Sequence, residues 1–150
     1  MTGPFHTLRW LAALMLSALF VTFAGAADIG QIKIAKGQVT VDRKGVVLPG
    51  GVGLRLEAAD VLKTGADGSV GITMADNSLL SAGPNSILSL DRFDFDPTSN
   101  QGRFDAQLQK GSLAVISGRM AKQSPEAMTV RTPSAILGVR GTEFVLSADD

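Results

Sequence analysis

The stretch DVLKTGADGSVGITM, residues 60–74, decides the fold class because it contains two short apolar segments separated by a turn. Its second segment places Val70, Ile72 and Met74 on one side and small or polar residues between them. This two-residue period is typical of a half-buried β-strand. The intervening Gly65-Ala66-Asp67-Gly68 has the composition of a tight turn. The stretch therefore predicts two strands, with one side of the second strand facing a core.

Alternating segments of the same kind recur on both sides of this stretch, at intervals of roughly 8 to 12 residues. Ile32 and Ile34 alternate with polar neighbours, and so do Phe104, Ala106 and Leu108. Helical periodicity is scarce beyond residue 27. Many short strands at this spacing predict an all-β domain of the sandwich or barrel type.

Turn-forming residues define further boundaries between the predicted strands. Asp76-Asn77-Ser78 predicts a hairpin turn, because Asp and Asn tolerate turn geometry. Thr132-Pro133 interrupts a strand, since proline cannot donate a hydrogen bond to a β-ladder. We predict an exposed loop over Arg119–Ala127 and a last strand over Thr142–Leu146.

The first 26 residues have the pattern of a secretory signal peptide. His6 and Arg9 precede the apolar run Trp10–Phe23, and small residues follow at Ala24 and Ala26. This order of basic, apolar and small residues is recognised by signal peptidase. We therefore expect cleavage after Ala26 and a single domain over residues 27–150, which is long enough for one core.

The same apolar segment also admits a second interpretation. Trp10–Ala27 approaches the roughly 20 residues that span a bilayer, so an uncleaved inner-membrane anchor is the alternative. We expect a periplasmic protein in either case, with further secretion left open. The chain contains no Cys, which excludes a lipid-modified cysteine and disulfides. Its stability must therefore come from burial of apolar surface.

Composition excludes several functional classes. The 14 basic and 14 acidic residues balance, so nothing favours a nucleic-acid partner, which requires clustered Lys and Arg. The chain has one His, which is His6 in the predicted signal peptide, and it has no Tyr or Cys. Residues 27–150 thus lack imidazole and thiol groups, the usual bases, nucleophiles and zinc ligands. We expect no enzymatic activity, no cofactor and no catalytic or metal-binding residues.

Two neighbouring segments carry a specific family resemblance. Val130-Arg131-Thr132-Pro133-Ser134-Ala135, followed by Val139-Arg140-Gly141-Thr142-Glu143-Phe144, resembles the signature of the FecR domain family. Weaker matches occur in the family's order at Gly37-Gln38-Val39, Asp60–Gly65, Asp67-Gly68-Ser69, Pro84-Asn85-Ser86 and Leu108–Leu113. Asp76-Asn77-Ser78 departs from the family's usual Asp-Gly-Ser, but Asn also accepts a positive φ. The resemblance covers nearly all of residues 27–150.

The resemblance implies a periplasmic module of bacterial signal transducers and a jelly-roll-like antiparallel sandwich; a β-helical roll is the alternative fold. The family's transducers carry a cytoplasmic anti-sigma segment before this module, and we expect the module here without that pathway. The leading hypothesis is a binding or sensing module that engages another envelope protein, with no membrane contact except through an uncleaved signal segment. The competing hypothesis is a ligand-binding or structural envelope protein that recognises glycan, peptidoglycan or a metal chelate.

The candidate binding residues lie in the signature itself: Arg131, Arg140, Gly141, Thr142 and Glu143. In a functional interpretation, Arg140 and Glu143 present charges to a partner while Gly141 allows close backbone approach. In the structural interpretation, which we favour, Gly138 and Gly141 supply backbone freedom, and Arg140 either pairs with Glu143 or caps neighbouring carbonyls.

One acidic segment partly imitates a calcium-binding loop. Asp94, Asp96, Thr98, Asn100 and Asp105 offer oxygen atoms at suitable intervals. Ser at position 99 stands where such loops need Gly, and Asp closes the loop where Glu is usual. We therefore expect a solvated acidic loop between two strands.

Overall fold

The computed structural model describes residues 25–139 and 143–149. Within these ranges the chain is almost entirely β-structure, as the alternation predicts. No helix of this part is long and apolar enough to cross a membrane. The strands are β1 (Gly30–Lys36), β2 (Val39–Arg43), β3 (Val46–Pro49), β4 (Arg55–Leu56), β5 (Val61–Thr64), β6 (Ser69–Met74), β7 (Leu79–Ala82), β8 (Ile87–Phe95), β9 (Gly102–Ile116), β10 (Met128–Arg131), β11 (Ile136–Gly138) and β12 (Glu143–Ala148).

The long strand β9 organises the molecule because both halves of the sheet use it. Its first half pairs with β8 on one side and with β10 on the other. Its second half pairs with β7 and β12. The sheet therefore continues in the order β3-β2-β5-β8-β9-β7-β6-β1-β4 and curls so that its two halves enclose one core.

Gly111 lets β9 serve both halves. Before it, Phe104, Ala106 and Leu108 are buried; after it, Leu113 and Val115 are buried, so the inward parity of the strand changes. Gly111 has φ +92°, and a Cβ at this position would overlap Ser86. Glycine is needed here both for the positive φ and for the close approach of the neighbouring chain.

The core lies between the two halves and consists of aliphatic side chains from their inner faces. Ile32, Leu62, Ile72 and Leu80 are examples, each at most 2% exposed. One aromatic contact contributes, since the ring of Phe104 meets that of Phe93 edge-on at 5.2 Å between centroids. Burial of a side chain of this kind stabilises the fold by roughly 1.5–3 kcal/mol.

The predicted all-β, antiparallel fold is confirmed, and the curled sheet is consistent with a sandwich or half-barrel. Antiparallel ladders prevail among the described strands, which is unlike the parallel coils of a β-helical roll, and β10 beside β9 is a parallel pair. The jelly-roll connectivity stays a prediction. The predicted turn at Asp76-Asn77-Ser78 is confirmed, with Asn77 at φ +67° between β6 and β7.

The structure corrects the prediction for residues 119–127. Instead of an exposed loop, Arg119–Gln123 forms a short helix, α1, and Pro125–Ala127 forms a turn of 3-10 helix. Three side chains of this segment, those of Met120, Ala121 and Ala127, are buried in the core. The segment crosses from the end of β9 to the start of β10, and it covers one end of the core.

Two strand details also differ from the expectation. Ile32 and Ile34 do not share a face, because a β-bulge between them leaves Ile32 buried and Ile34 exposed. The last strand continues to Ala148 rather than ending at Leu146. Thr142, its predicted first residue, lies outside the described residues.

Candidate functional site

The structure places two of the five candidate binding residues, and it places them far apart. Arg131 ends β10 opposite Gln107, whereas Glu143 begins β12 opposite Ile116, nine positions further along β9. Both side chains belong to exposed residues. Arg140, Gly141 and Thr142 lie outside the described residues, so their predicted roles and the predicted pairing of Arg140 with Glu143 stay predictions.

Arg131 lies next to the turn that joins β10 to β11. The Thr132 N–H donates to the Ala135 carbonyl at 2.8 Å, which closes the turn around Pro133. Arg131, Gln107 and the turn line an open depression of about 580 Å³. The Thr-Pro-Ser-Ala part of the signature thus builds a hairpin, and the exposed Ile136 follows it.

Glu143 belongs to an unpaired sheet edge. Among the described strands, β12 pairs with β9 on one side only. Along β12, Glu143, Val145 and Ser147 are exposed, while Phe144 and Leu146 pack against the core. This alternation fixes which side of the strand a partner can reach.

Three other described strands, β3, β4 and β11, also have one unpaired edge. Each is less suited to pairing: β3 ends in Pro49, β4 has two residues, and β11 has three residues ending in Gly138. Short strands and proline are the features by which natural proteins protect sheet edges. The six-residue β12, without proline or glycine, is the most accessible of the four for an added strand.

Residues from three of the weaker matching segments, Thr64, Ser86 and Ser112, form a hydrogen-bonded corner around Gly111, which we call the Ser86 corner. The Ser112 N–H donates to the Ser86 hydroxyl at 3.0 Å, and the Ser86 N–H donates to the Thr64 hydroxyl at 2.9 Å. The Thr64 hydroxyl in turn donates to the Gly83 carbonyl at 2.7 Å. Three weakly matching segments that are distant in sequence meet here, and their polar groups are satisfied by one another. Their role is therefore structural.

Asp60 provides a second structural contact. Its carboxylate is buried and accepts two hydrogen bonds from the Arg43 guanidinium, at 2.9 and 2.7 Å, and one from the Glu57 N–H at 2.9 Å. The hydrogen bond to Asp60 raises the pKa of Arg43 above its usual value, against the opposing effect of burial. The pair fastens β2 to the turn before β5.

Asp76 forms the third contact, which the sequence did not predict. It is buried, and its carboxylate accepts hydrogen bonds from the Ser78 N–H at 3.0 Å and the Ser78 hydroxyl at 2.9 Å. The Ser78 hydroxyl accepts from the Gly118 N–H at 2.9 Å, and the Arg119 N–H donates to the Asp76 carbonyl at 2.8 Å. Asp76 thereby holds the start of α1. No local pattern indicates this burial, because the donors lie about 40 residues away in sequence.

Of the five residues expected in a solvated acidic loop, Asp96, Thr98 and Asn100 lie between β8 and β9, whereas Asp94 belongs to β8 and Asp105 to β9. Asp94 is exposed and pairs with Arg92, and Asp105 pairs with Arg103. The Thr98 N–H donates to Asp96, and this bond lowers the pKa of the exposed Asp96 carboxyl. Asn100, which is in the loop, and Asp105, which is within β9, each have one buried side-chain oxygen without a hydrogen-bond partner. Within the described ranges, no three acidic, His or Cys side chains gather where they could hold a metal ion.

A depression of about 1020 Å³ lies beside this loop and is open to solvent. Phe93 and Phe95 form its apolar part, and Asp94, Asp96 and Gln123 contribute polar groups. The Arg119 guanidinium lies 5.1 Å from the centre of the Phe95 ring. Because this cation occupies one ring face, that face is closed to a stacked ligand.

Comparison with protein-family models matches residues 60–150 to the family described as FecR protein. This range includes the Ser86 corner, both buried aspartates and all strands from β5 to β12. No curated protein and no solved structure matches the chain.

Proposed function

The chain belongs to the FecR protein family, and from this premise we propose that it is a non-enzymatic binding or sensing module of the periplasm. Family membership suggests a signalling-related regulatory domain, and the family is not a known family of enzymes. In our proposal the module engages another envelope protein in signalling or transport-linked regulation. Its N-terminal 26 residues direct export and are removed.

The observation that carries the proposal is the accessible edge of β12. An extended segment of a partner can add to such an edge through main-chain hydrogen bonds, while alternate side chains give specificity. Glu143, a signature residue, stands at the start of this strand and is exposed. Other residues of the matched range, such as Asp60, Asp76 and Ser86, are buried and accept hydrogen bonds within the fold. Among the signature residues that the structure describes, those in β12 therefore have the most accessible backbone.

The proposed absence of catalysis rests on chemistry. Residues 27–150 contain neither His nor Cys, so a hydrolytic or redox centre would need a Lys or a carboxylate with strongly altered properties. The two buried carboxylates already accept hydrogen bonds from neighbouring groups. They hold the fold together, and neither of them lines the depression beside Phe95 or the one beside Arg131.

Photo-crosslinking in the producing cell tests the proposal. A photoreactive amino acid at Ser147 on β12 should give a reproducible adduct with another envelope protein, identified by mass spectrometry. The matched control is Val47, an exposed residue on the edge strand β3, where no such adduct is expected. Equal adducts from both positions, or adducts containing two copies of this chain alone, would contradict the proposal.

The same cells test the proposed location. Recovery in the periplasmic fraction, with Ala27 as the first residue, is the expected result. A chain that retains residue 1 and stays with the membrane would favour the anchored alternative.

The competing proposal is a ligand-binding or structural protein that recognises glycan, peptidoglycan or a metal chelate. Its best support is the open depression beside Phe95. The cation on that ring weakens the case for a sugar, which needs a free aromatic face. Calorimetric titration with peptidoglycan fragments distinguishes the two: saturable binding that is lost in Phe95→Ala would favour this alternative.

A further inference from the structure

One part of the sheet consists of β1, β6, β7, β12 and the second half of β9. Its outer face is unusually apolar for a surface. We define this outer face by two rows of residues that cross five paired strands, in the order β1, β6, β7, β9 and β12. The first row is Gln31, Thr73, Leu79, Ile116 and Glu143; the second is Ile34, Gly71, Ser81, Ala114 and Val145. Its four large apolar residues are 42–68% exposed. A sheet with one solvated face normally alternates apolar inside with polar outside, so this face departs from the rule.

The shape of the outer face is as distinctive as its composition. The middle of the second row consists of the small residues Gly71, Ser81 and Ala114, which leaves a shallow groove of about 250 Å³. Ile34 and Val145 stand at the two ends of that row, and Leu79 and Ile116 rise beside it. Apolar patches of this kind mark interaction sites. Among the described residues, no other segment covers the face.

Charges are distributed unequally across the outer face. Lys33 and Lys36 lie on β1 at one side, and the Lys33 ammonium donates to Gln31 at 2.5 Å. Glu143 lies on β12 at the opposite side and also lines the groove. One margin of the face is therefore positive and the other is negative.

We propose that the outer face binds the outer face of a second copy of this chain, with the two-fold axis parallel to the strands. This axis exchanges the two margins, so β1 of each copy lies over β12 of the other. Lys33 then faces Glu143 twice, and Ile34 faces Val145 twice. Leu79 meets its own counterpart near the axis, and Ile116 lies over the smaller Thr73.

The alternative face-to-face arrangement, with the axis perpendicular to the strands, places β1 over β1. It sets Lys33 against Lys33 and Glu143 against Glu143, which is repulsive. The charge pattern therefore selects one of the two arrangements. The selected one also leaves the pairing edge of β12 at the rim, so this inference does not depend on the proposed heterologous partner.

The extent of the face limits the affinity. A standard interface takes about 20–30 residues from each partner, and the two rows supply about half of the lower figure. We therefore expect a reversible dimer with a dissociation constant of about micromolar or weaker. Such a dimer would form where the protein is concentrated and would dissociate on dilution.

Sedimentation velocity of the purified protein over a concentration series tests the proposal without any partner. The wild-type protein should pass from monomer to dimer as its concentration rises. Leu79→Arg places two like charges near the axis and should abolish the dimer at every concentration. The matched control Val47→Arg alters another exposed large apolar residue, which lies outside the face, and should leave the dimer unchanged. Thermal unfolding confirms that both variants are folded.

Charge exchange tests the orientation of the two copies. Lys33→Glu alone and Glu143→Lys alone should each weaken the dimer by at least about tenfold, and the double variant should restore it. A protein that is monomeric throughout, or a dimer broken by Val47→Arg and not by Leu79→Arg, would overturn the proposal. So would a heterologous adduct at Leu79 in a protein that never self-associates, since the face would then belong to another partner.

Discussion

The Ser86 corner and the β12 edge belong to the same matched family range, yet they differ in what their residues do. At the corner, Thr64, Ser86 and Ser112 donate and accept hydrogen bonds among themselves. At β12, Glu143 and Ser147 point away from the core and the outer strand edge has no described partner. The difference teaches that a family signature can combine residues that build the fold with residues that remain available for recognition.

The largest expected effect is the loss of Asp60. Asp60→Ala removes the acceptor of two Arg43 guanidinium hydrogen bonds and of the Glu57 N–H, while Arg43 keeps its contacts with the Glu57 carboxylate and the Arg55 carbonyl. We expect a loss of about 2–4 kcal/mol in the free energy of unfolding, slightly below the value for a fully buried pair because Arg43 is partly exposed. Urea denaturation measures it.

The control for this variant is Asp28→Ala, which removes an exposed pair with Arg55. Exposed pairs contribute little, so a change of about 0–1 kcal/mol is expected. Equal losses in the two variants would show that the buried contact has no special structural role.

A smaller loss is expected at the corner from Gly111→Ala. The added methyl group would overlap Ser86, and the backbone would have to hold φ +92°. We expect a loss of about 2–3 kcal/mol, of which roughly 1–2 kcal/mol is backbone strain.

Gly45→Ala separates the two contributions, since Gly45 has a similar φ of +85° but open space where its Cβ would lie. The Gly45→Ala variant should lose only the part of the free energy of unfolding that comes from backbone strain. The same denaturation experiment measures this loss. If Gly45→Ala proves as damaging as Gly111→Ala, the close approach to Ser86 is unimportant.

The smallest effect is expected at Asp96, an exposed carboxyl that contrasts with the buried Asp60. Its pKa lies below the ordinary 3.8, chiefly because the Thr98 N–H donates to it. Since the folded-state pKa is lowered, its contribution to stability is present above the unfolded pKa and is lost as the pH falls through the folded value. NMR titration should give this lowered pKa, and Thr98→Pro, which lacks the donor, should raise it. An unchanged pKa in that variant would contradict the assigned cause.

Sequence reasoning succeeded where the deciding forces are local. The alternation of Phe104, Ala106 and Leu108 identified the inner side of a strand, and Asn77 identified a turn with positive φ. Periodicity and turn chemistry act within a few residues, so they can be read without knowing the fold.

It failed where distant segments decide. Ile34 is exposed because of a bulge opposite β6, and the change of inward parity at Gly111 depends on Ser86. Residues 119–127 are ordered by contacts with Asp76, which lies more than 40 positions earlier. The sequence named Glu143 as a candidate binding residue, but it could not show that β12 is an edge, because an edge is defined by which strands are absent beside it.

The position of β9 in the chain governs the order in which the molecule can be assembled. β7 and β8 belong to different halves of the sheet, and both require β9 as their neighbour. While a ribosome is still extending the chain short of residue 116, each half has an open side and the core cannot close. Folding is therefore delayed until most of the polypeptide exists, which agrees with the proposed export of the chain in an unfolded state.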